Sequence, residues 1–203
     1  MKKPAAWIGF FIAIAVVVIS SIVSAPRFLL YSLAAAQSDK ADAIVLLLGE
    51  NFNARKKEVD LLSSKGLADY VIIPAYYKMH EVTDKGLIDK FISPSAVNKE
   101  IESSKILSLI YENTHLELLE AKNAMSQYNI NSVVFVSSPY HMRRIKIIAS
   151  EVFGKKTANF YYMPTRFEKA PADFWELSRK NWKNVGAEYL KIIWFFIYAK
   201  FIK

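Results

Sequence analysis

The sequence contains no cysteine, only three histidines, and few of the residues that interrupt regular structure, with six glycines and seven prolines among 203 residues. The lack of cysteine excludes disulfide bonds, zinc–thiolate sites, iron–sulfur clusters and cysteine nucleophiles. No histidine spacing indicates a metal site, and no serine lies in a Gly-x-Ser-x-Gly turn of the hydrolase type. The sequence also has no internal repeat of solenoid or propeller period.

Acidic residues are fewer than basic ones, and this balance predicts anionic partners. Lys and Arg number 27 against 19 Asp and Glu, which gives a formal net charge of +8. Such a charge favours phospholipid head groups, phosphorylated small molecules or nucleic acid. We expect the lipid bilayer to be the partner and not nucleic acid, because we find no zinc finger, aromatic RNA-binding signature or basic arm.

A long uncharged run near the start of the chain predicts a transmembrane helix. No charged residue occurs from Ala5 to Ala25, and about 20 apolar residues cross a bilayer. Lys2 and Lys3 precede the run, so the positive-inside rule predicts a cytoplasmic N-terminus and a domain on the other side. The alternative is a cleaved signal peptide, since Val23-Ser24-Ala25 resembles a cleavage site, but the run is longer than a signal-peptide core.

We assign residues 1–27 to this anchor, 28–41 to a packing segment and polar linker, and 42–203 to one α/β domain. The polar part of the linker is Gln37 to Lys40. A second apolar stretch, residues 190–202, is interrupted by two lysines. It therefore predicts a core or interfacial helix rather than a second crossing.

Segments typical of strands and helices alternate through the domain. The predicted strands are 43–48, 70–73, 105–111, 132–137 and 159–163, and the predicted helices are 53–65, 83–92, 113–128, 141–153 and 172 to the end. Continuous apolar runs such as 43–48 indicate strands buried on both faces. The alternation predicts a Rossmann-like, three-layer fold with a parallel sheet of about five strands. In such sheets, ligands bind beyond the carboxyl ends of the strands.

The loop after the first predicted strand is one candidate for ligand binding. It contains Gly49, Glu50 and Asn51, and Arg55 follows on the next helix. Glycine permits a tight turn and close approach of a ligand to the backbone, while helix-start amides and an arginine can hold an anion. A single glycine falls far short of a dinucleotide fingerprint, so an ordinary turn with a surface arginine stays open as an alternative.

A denser polar segment follows the strand 132–137. A helix N-terminus beside arginine is a good anion site, and a histidine there can act as acid, base or hydrogen-bond donor. Because Arg143 and Arg144 point in different directions on a helix, we expect at most one to face the site, and we assign Arg143. The candidate ligand-binding residues of this segment are Ser137, Ser138, Tyr140, His141 and Arg143, with His141 as the candidate catalytic residue.

The start of the helix at 113–128 is the third candidate. Asn113-Thr114 resembles a helix N-cap, and Glu117 stands where a capping box has its acidic residue. All three residues either cap the helix or contact a ligand at the same edge of the sheet.

Together these segments resemble the family called domain of unknown function 218, which groups the YdcF, SanA and ElyC proteins. The resemblance covers about residues 42–153. It is carried by the run Ser-Pro-Tyr-His-Met-Arg-Arg at 138–144, by the strand ending at Gly49, by Arg55 and by Asn113-Thr114. A weaker similarity extends to Trp175, Trp182 and Glu188.

The resemblance implies a Rossmann-like fold with a pocket lined by the first loop, the Thr/Glu helix start and the His/Arg segment. It also implies a bacterial envelope setting, since members are linked to envelope integrity, peptidoglycan assembly and undecaprenyl-phosphate metabolism, and one soluble member binds S-adenosylmethionine. The chain departs from the family in two loops. Gly49-Glu50 replaces a Gly-Gly pair, and Pro74-Ala75-Tyr76 replaces Ser-Gly-Gly.

The leading hypothesis is therefore a single-pass protein of the bacterial inner membrane whose extracytoplasmic domain binds a phosphorylated or lipid-linked ligand. If the protein is an enzyme, His141 would be the acid or base, and Arg55 and Arg143 would hold the anionic group. A binder of a nucleotide-type cofactor such as S-adenosylmethionine is one alternative. A non-catalytic membrane scaffold is the other, and a cleft filled with side chains would favour it.

Overall fold

The computed structural model describes residues 4–32, 40–84, 86–154 and 159–201, and it consists of one N-terminal apolar helix and a mixed α/β domain. The helices are α1 (Pro4–Leu29), α2 (Phe52–Ser64), α3 (Ala96–Ser103), α4 (Leu107–Ile110), α5 (Asn113–Gln127), α6 (Met142–Phe153) and α7 (Arg179–Phe201). The strands are β1 (Ala41–Leu46), β2 (Ala68–Ile73), β3 (Lys78–Thr83), β4 (Gly86–Phe91), β5 (Ser132–Ser137) and β6 (Asn159–Pro164). Except for Lys40, the predicted polar linker lies outside the described residues.

The six strands form one mostly parallel sheet in the order β4-β3-β2-β1-β5-β6. Strands β2, β1, β5 and β6 are parallel to their neighbours within this group, whereas β3 and β4 are antiparallel additions at one edge. From β1 the chain proceeds to β2 on one side and later returns to β5 on the other. The loops that leave β1 and β5 therefore diverge, which opens a crevice at their carboxyl ends.

Both faces of the central strands are covered, as their continuous apolar runs predict. On one face, Val45 and its neighbours pack with α5, α6 and α7 through residues such as Leu118, Ile148 and Phe195. On the other face, Ile44 and its neighbours pack with α2. Side chains alternate between the two faces along β1 because successive strand residues point to opposite sides. The expected mixed α/β architecture with a largely parallel sheet is confirmed.

The predicted helix at 83–92 is wrong, because this segment belongs to a β-hairpin. Val82 pairs with Leu87 and Thr83 with Gly86 in antiparallel register. Thr83 Oγ1 donates a hydrogen bond to the Gly86 carbonyl at 2.7 Å, and Gly86 has a φ of +118°, which favours glycine. Strand β4 is largely exposed, so its side chains lack the clean alternation of a half-buried strand and leave only a weak pattern.

The predicted strand at 105–111 is also wrong, since the segment contains the short helix α4. It follows α3, for which no element was predicted. The side chain of Ser95 caps α3 by accepting a hydrogen bond from the Asn98 amide at 3.1 Å. One predicted helix and one predicted strand are therefore replaced by an antiparallel hairpin and a pair of short helices.

Helix α1 contains a segment, Gly9–Leu29, that is long and apolar enough to cross a membrane. The domain border predicted after residue 27 falls within this helix. The last turns of α1 pack on the domain through what we call the α1 contact, formed by Ala25, Phe28 and Leu29 with Tyr140, Val185 and Tyr189. Leu29 is completely buried there, and the Tyr189 hydroxyl donates to the Ala25 carbonyl at 3.0 Å.

Helix α7 packs one face on the domain and exposes the other. The buried residues recur at helical spacing, Val185, Glu188, Ile192, Phe195 and Tyr198. The exposed apolar residues on the other side are Leu190, Ile193, Trp194, Phe196 and Ile197. The predicted C-terminal helix is thus confirmed over α7, preceded by a short 3₁₀ turn at Phe174–Glu176.

Candidate functional site

A cleft of about 590 Å³ lies where the crevice between the loops after β1 and β5 opens. Leu48 and Gly49 line it after β1, and Pro74 and Ala75 line it after β2. The remaining walls come from α3, α4, the start of α5, the start of α6 and the middle of α7. Ligand pockets of about 300–1,000 Å³ are usual for small molecules. The cleft therefore has suitable size and the position expected for an open parallel sheet.

Five of the predicted site residues lie together on the walls of this cleft: Gly49, Asn113, Thr114, Glu117 and His141. They come from three separate candidate segments, and the fold brings those segments to one place. The other predicted residues, Glu50, Asn51, Arg55, Ser137, Ser138, Tyr140 and Arg143, do not line the cleft.

Arg55 is buried behind the cleft and connects the loops after β1 and β5. Its guanidinium donates to the carbonyls of Leu47, at 2.9 Å, and of Leu48. It also donates to Ser138 Oγ at 2.9 and 3.1 Å, and that hydroxyl donates to Glu168 at 2.5 Å. A Cβ on Gly49 would lie 2.7 Å from Arg55 Cζ. The glycine thus permits close approach of a protein side chain, the role that we had expected a ligand to take.

Four other predicted residues, Glu50, Asn51, Ser137 and Tyr140, belong to turns and packing contacts and not to the cleft walls. Glu50 and Asn51 form the turn before α2, where the Asn51 carbonyl accepts from the Arg55 amide at 3.3 Å. Ser137 is buried at the end of β5, and its hydroxyl has no partner within the described part of the chain. The Tyr140 hydroxyl donates to the Pro171 carbonyl at 2.7 Å, and its ring belongs to the α1 contact.

Of the two adjacent arginines, Arg144 lines the cleft and Arg143 does not. Arg143 Nε donates to the Phe28 carbonyl at 2.8 Å, and its guanidinium lies 4.8 and 4.7 Å from the ring centroids of Phe28 and Tyr31. His141 and Arg144 are three residues apart, so they share one face of the helix. That spacing is the sequence signal that favours Arg144 as the partner of His141.

Arg144 is the centre of a buried polar network. Nε and one terminal nitrogen donate to the two oxygens of Glu188, at 2.7 and 3.3 Å. The other terminal nitrogen donates to Glu112 and to Thr114 Oγ1, the latter at 2.7 Å. The remaining N–H points to His141 Nδ1 at 3.3 Å. Because arginine has five N–H groups, this network uses all of them within the protein.

His141 is neutral and oriented by the same network. Burial lowers the pKa of its imidazole to about 3. Arginine can only donate, so Nδ1 accepts from Arg144 and the proton resides on Nε2. Nε2 faces Glu188 Oε1 at 3.5 Å. Burial alone would raise the pKa of Glu188, but the cations of Arg144 and Lys191 lower it below its ordinary value.

Burial raises the pKa of the Glu117 carboxyl to about 7. One of its oxygens accepts a hydrogen bond from the Leu48 amide at 3.1 Å. The predicted capping box is wrong, since the N-cap of α5 is Glu112 and has no side-chain cap. Thr114 and Glu117 instead point to Arg144 and to the loop after β1.

Sequence reasoning assigned no role in the site to most of the polar residues on the cleft walls. Over the described ranges, four carboxylates, Glu102, Glu112, Glu117 and Glu120, line the cleft together with the cations of Arg144 and Lys191. Asn98, Tyr77, Tyr111 and Trp194 complete its polar and aromatic lining. Asn98 and Glu102 lie on α3, which was not predicted, and Tyr111 lies in the segment wrongly predicted as a strand. Lys191 and Trp194 lie on α7. The balance of charge in the cleft is acidic, opposite to that of the whole chain.

The described residues contain no group of three His, Asp or Glu side chains placed to hold a metal ion. No model of a known protein family, no curated protein and no solved structure matches the chain.

Proposed function

We propose that this chain is a membrane-anchored protein of the bacterial envelope whose cleft binds a lipid-linked ligand close to the bilayer. The observation that carries the proposal is that one stretch of α7 serves both the α1 contact and the cleft. Tyr189 packs on α1, Glu188 belongs to the Arg144 network, and Lys191 and Trp194 line the cleft. The segment of α7 that lines the cleft therefore also contacts α1, the helix that we propose to cross the membrane.

In this proposal α1 spans the inner membrane once, with the N-terminus in the cytoplasm and the domain outside it. The domain has a Rossmann-like fold of the kind implied by the resemblance to domain of unknown function 218. The position of the cleft between β1 and β5 supports this interpretation, as does the presence of His141 and Arg144 on its wall.

The outer part of the cleft suits the lipid-linked end of such a ligand. Lys191 has 46% of its side chain exposed and can meet a phosphate. Exposed apolar side chains lie nearby on α4 and α7, among them Leu109 and Trp194, which line the cleft, and Leu190. They offer a surface for the hydrocarbon chain that follows the phosphate.

The cleft supports binding better than the acid–base mechanism that His141 suggested. Both ring nitrogens of His141 face partners within the network, and its low pKa keeps it neutral. Glu117, with a pKa of about 7, is the group suited to transfer a proton near neutral pH if a reaction occurs. The open cleft favours ligand binding over the scaffold hypothesis. No acidic side chain directly follows β2 to hold a ribose, which disfavours the nucleotide alternative.

Binding is tested with the full-length chain in lipid nanodiscs, titrated with undecaprenyl phosphate. We expect Lys191→Glu to weaken binding at least tenfold. Lys200→Glu is the matched control, because it makes the same charge change on the same helix at an exposed residue outside the cleft. Equal affinities of the two variants would contradict the proposal.

Topology is tested separately by cysteine labelling. Every labelled thiol is then an introduced one, because the chain has no cysteine of its own. A single cysteine introduced as Lys57→Cys, at an exposed position on α2, should react with a membrane-impermeant maleimide in cells with a permeabilised outer membrane. Lys3→Cys should react only after the inner membrane is lysed. The reverse pattern would place the domain in the cytoplasm and favour the cofactor hypothesis.

A further inference from the structure

We propose that the part of the ligand held inside the cleft is a saccharide, recognised through its hydroxyl groups rather than through a phosphate. This inference rests on the proposed function, since it concerns the same cleft and the group attached to the lipid.

The first argument is that buried acceptors in the cleft lack donors. Asn98 is only 5% exposed, and its Nδ2 lies 3.5 Å from the Leu116 carbonyl, to which it donates. The Asn98 Oδ1 atom and the Glu112 Oε2 atom are buried without a partner among the residues described. Buried polar atoms are almost always hydrogen-bonded. Two unpartnered acceptors on the walls of one cleft therefore call for a ligand that donates hydrogen bonds.

The second argument is that the cleft has little to offer an anion apart from Lys191, which we assigned to the phosphate at its outer part. Every N–H of Arg144 is already engaged, and Arg55 lies behind the wall. The carboxylates of Glu102, Glu112 and Glu120 would repel a phosphate placed among them. A hydroxyl is uncharged and donates to a carboxylate or amide oxygen, so it meets the same groups favourably.

The third argument concerns the aromatic walls. Tyr77, Tyr111 and Trp194 line the cleft. Trp194 Nε1 donates to the Ile110 carbonyl at 2.9 Å and the Tyr77 hydroxyl donates to Glu102 at 2.6 Å, so both rings are held in place. Their flat apolar faces can cover the C–H face of a sugar ring while its hydroxyls reach the acceptors. Convergent polar groups between aromatic walls are the usual form of a specific small-molecule site.

The test compares three probes on the full-length chain in nanodiscs: undecaprenyl-diphosphate-linked N-acetylglucosamine, undecaprenyl phosphate without sugar, and a soluble N-acetylglucosamine oligomer. We expect the sugar-bearing lipid to bind at least tenfold more tightly than the bare carrier. Asn98→Leu, which removes the acceptor at similar size, should abolish this preference. Asn98→Asp, which keeps an acceptor oxygen, should retain most of it, and thermal melting checks that each variant is folded.

The outcomes separate the two proposals. Equal binding of the two lipids, unaffected by Asn98→Leu, would overturn the saccharide inference while supporting the proposed function. Binding of the soluble oligomer alone would support the saccharide inference and overturn the lipid-linked part of the function. Binding of none of the three would overturn both.

Discussion

Replacing Arg144 by methionine is expected to lower the free energy of unfolding by about 3–5 kcal/mol, the usual cost of removing one partner of a buried ion pair. Arg144 and Glu188 each have only 2% of the side chain exposed. Methionine fills a similar volume but leaves the Glu188 carboxylate without its main cation, and Glu112 and Thr114 lose a donor as well. The melting temperature should fall by roughly 6–20 °C for a chain of this length.

The measurement is guanidinium unfolding of the full-length chain in detergent micelles, followed by tryptophan fluorescence. The double variant Arg144→Met/Glu188→Met removes both charges of this pair, so it should recover part of the loss, and the remainder reflects Glu112 and Thr114 left without their donor. A loss below about 1 kcal/mol for Arg144→Met would be the behaviour of an exposed ion pair and would refute the reasoning. A double variant no more stable than the single one would refute it as well.

Three further predictions follow from single contacts. Because burial raises the pKa of Glu117 to about 7, the folded state keeps a proton that the unfolded state releases near 4.5. Stability should therefore fall as pH rises between these values, and Glu117→Gln should flatten this profile; an unchanged profile would contradict the shift. Gly49→Ala should lower the free energy of unfolding by about 2 kcal/mol by displacing Arg55. Gly186→Ala should raise it by up to about 1 kcal/mol, because a Cβ there meets nothing within 4 Å. Equal effects of the two variants on the denaturation midpoint would contradict this difference. Arg143→Ala should speed amide hydrogen exchange in the last turn of α1 roughly tenfold by removing a charged hydrogen bond, and unchanged exchange would mean that this bond does not hold the helix end.

The central strands could be predicted from sequence because they consist of nearly continuous apolar runs. The runs in β1 and β5 are apolar at nearly every position, since helices cover both faces of the sheet. Helix α2 follows β1, α5 precedes β5 and α6 follows β5, and their ends carry recognisable signals such as Gly154 after α6. These elements place Gly49, the start of α5 and His141 on the walls of the cleft, so its location at the carboxyl ends of the strands could be predicted as well.

The edge of the sheet could not be predicted in the same way. In the segment 105–111, β-branched and apolar residues favoured a strand, but Ile106 and Leu109 are 72% and 78% exposed. An exposed apolar residue carries no information about which face of an element is buried, so the pattern was ambiguous between strand and helix. The hairpin of β3 and β4 was missed because β4 lies at the edge of the sheet, as far as the structure describes the chain, and has a largely exposed surface.

The site was partly predictable for a different reason. The polar residues after β1 and β5 were recognised, but which of them line the cleft depends on the direction in which each side chain leaves the backbone. Arg143 and Arg144 are equivalent by composition, and only the shared helix face with His141 distinguishes them. Glu188 lies 44 residues from Arg144 in sequence, so their pairing left no local signal. Asn98 belongs to a helix for which no periodicity was identified.

The complete burial of Leu29 has a consequence for the geometry of the whole molecule. The last turns of α1 are fixed to the domain by the α1 contact, so α1 and the domain keep one relative orientation. If α1 spans the membrane as proposed, this fixed arrangement sets the height of the cleft above the bilayer surface. Under the same proposal, a lipid-linked ligand would reach the cleft only when the spacer between its lipid and its head group matches that height.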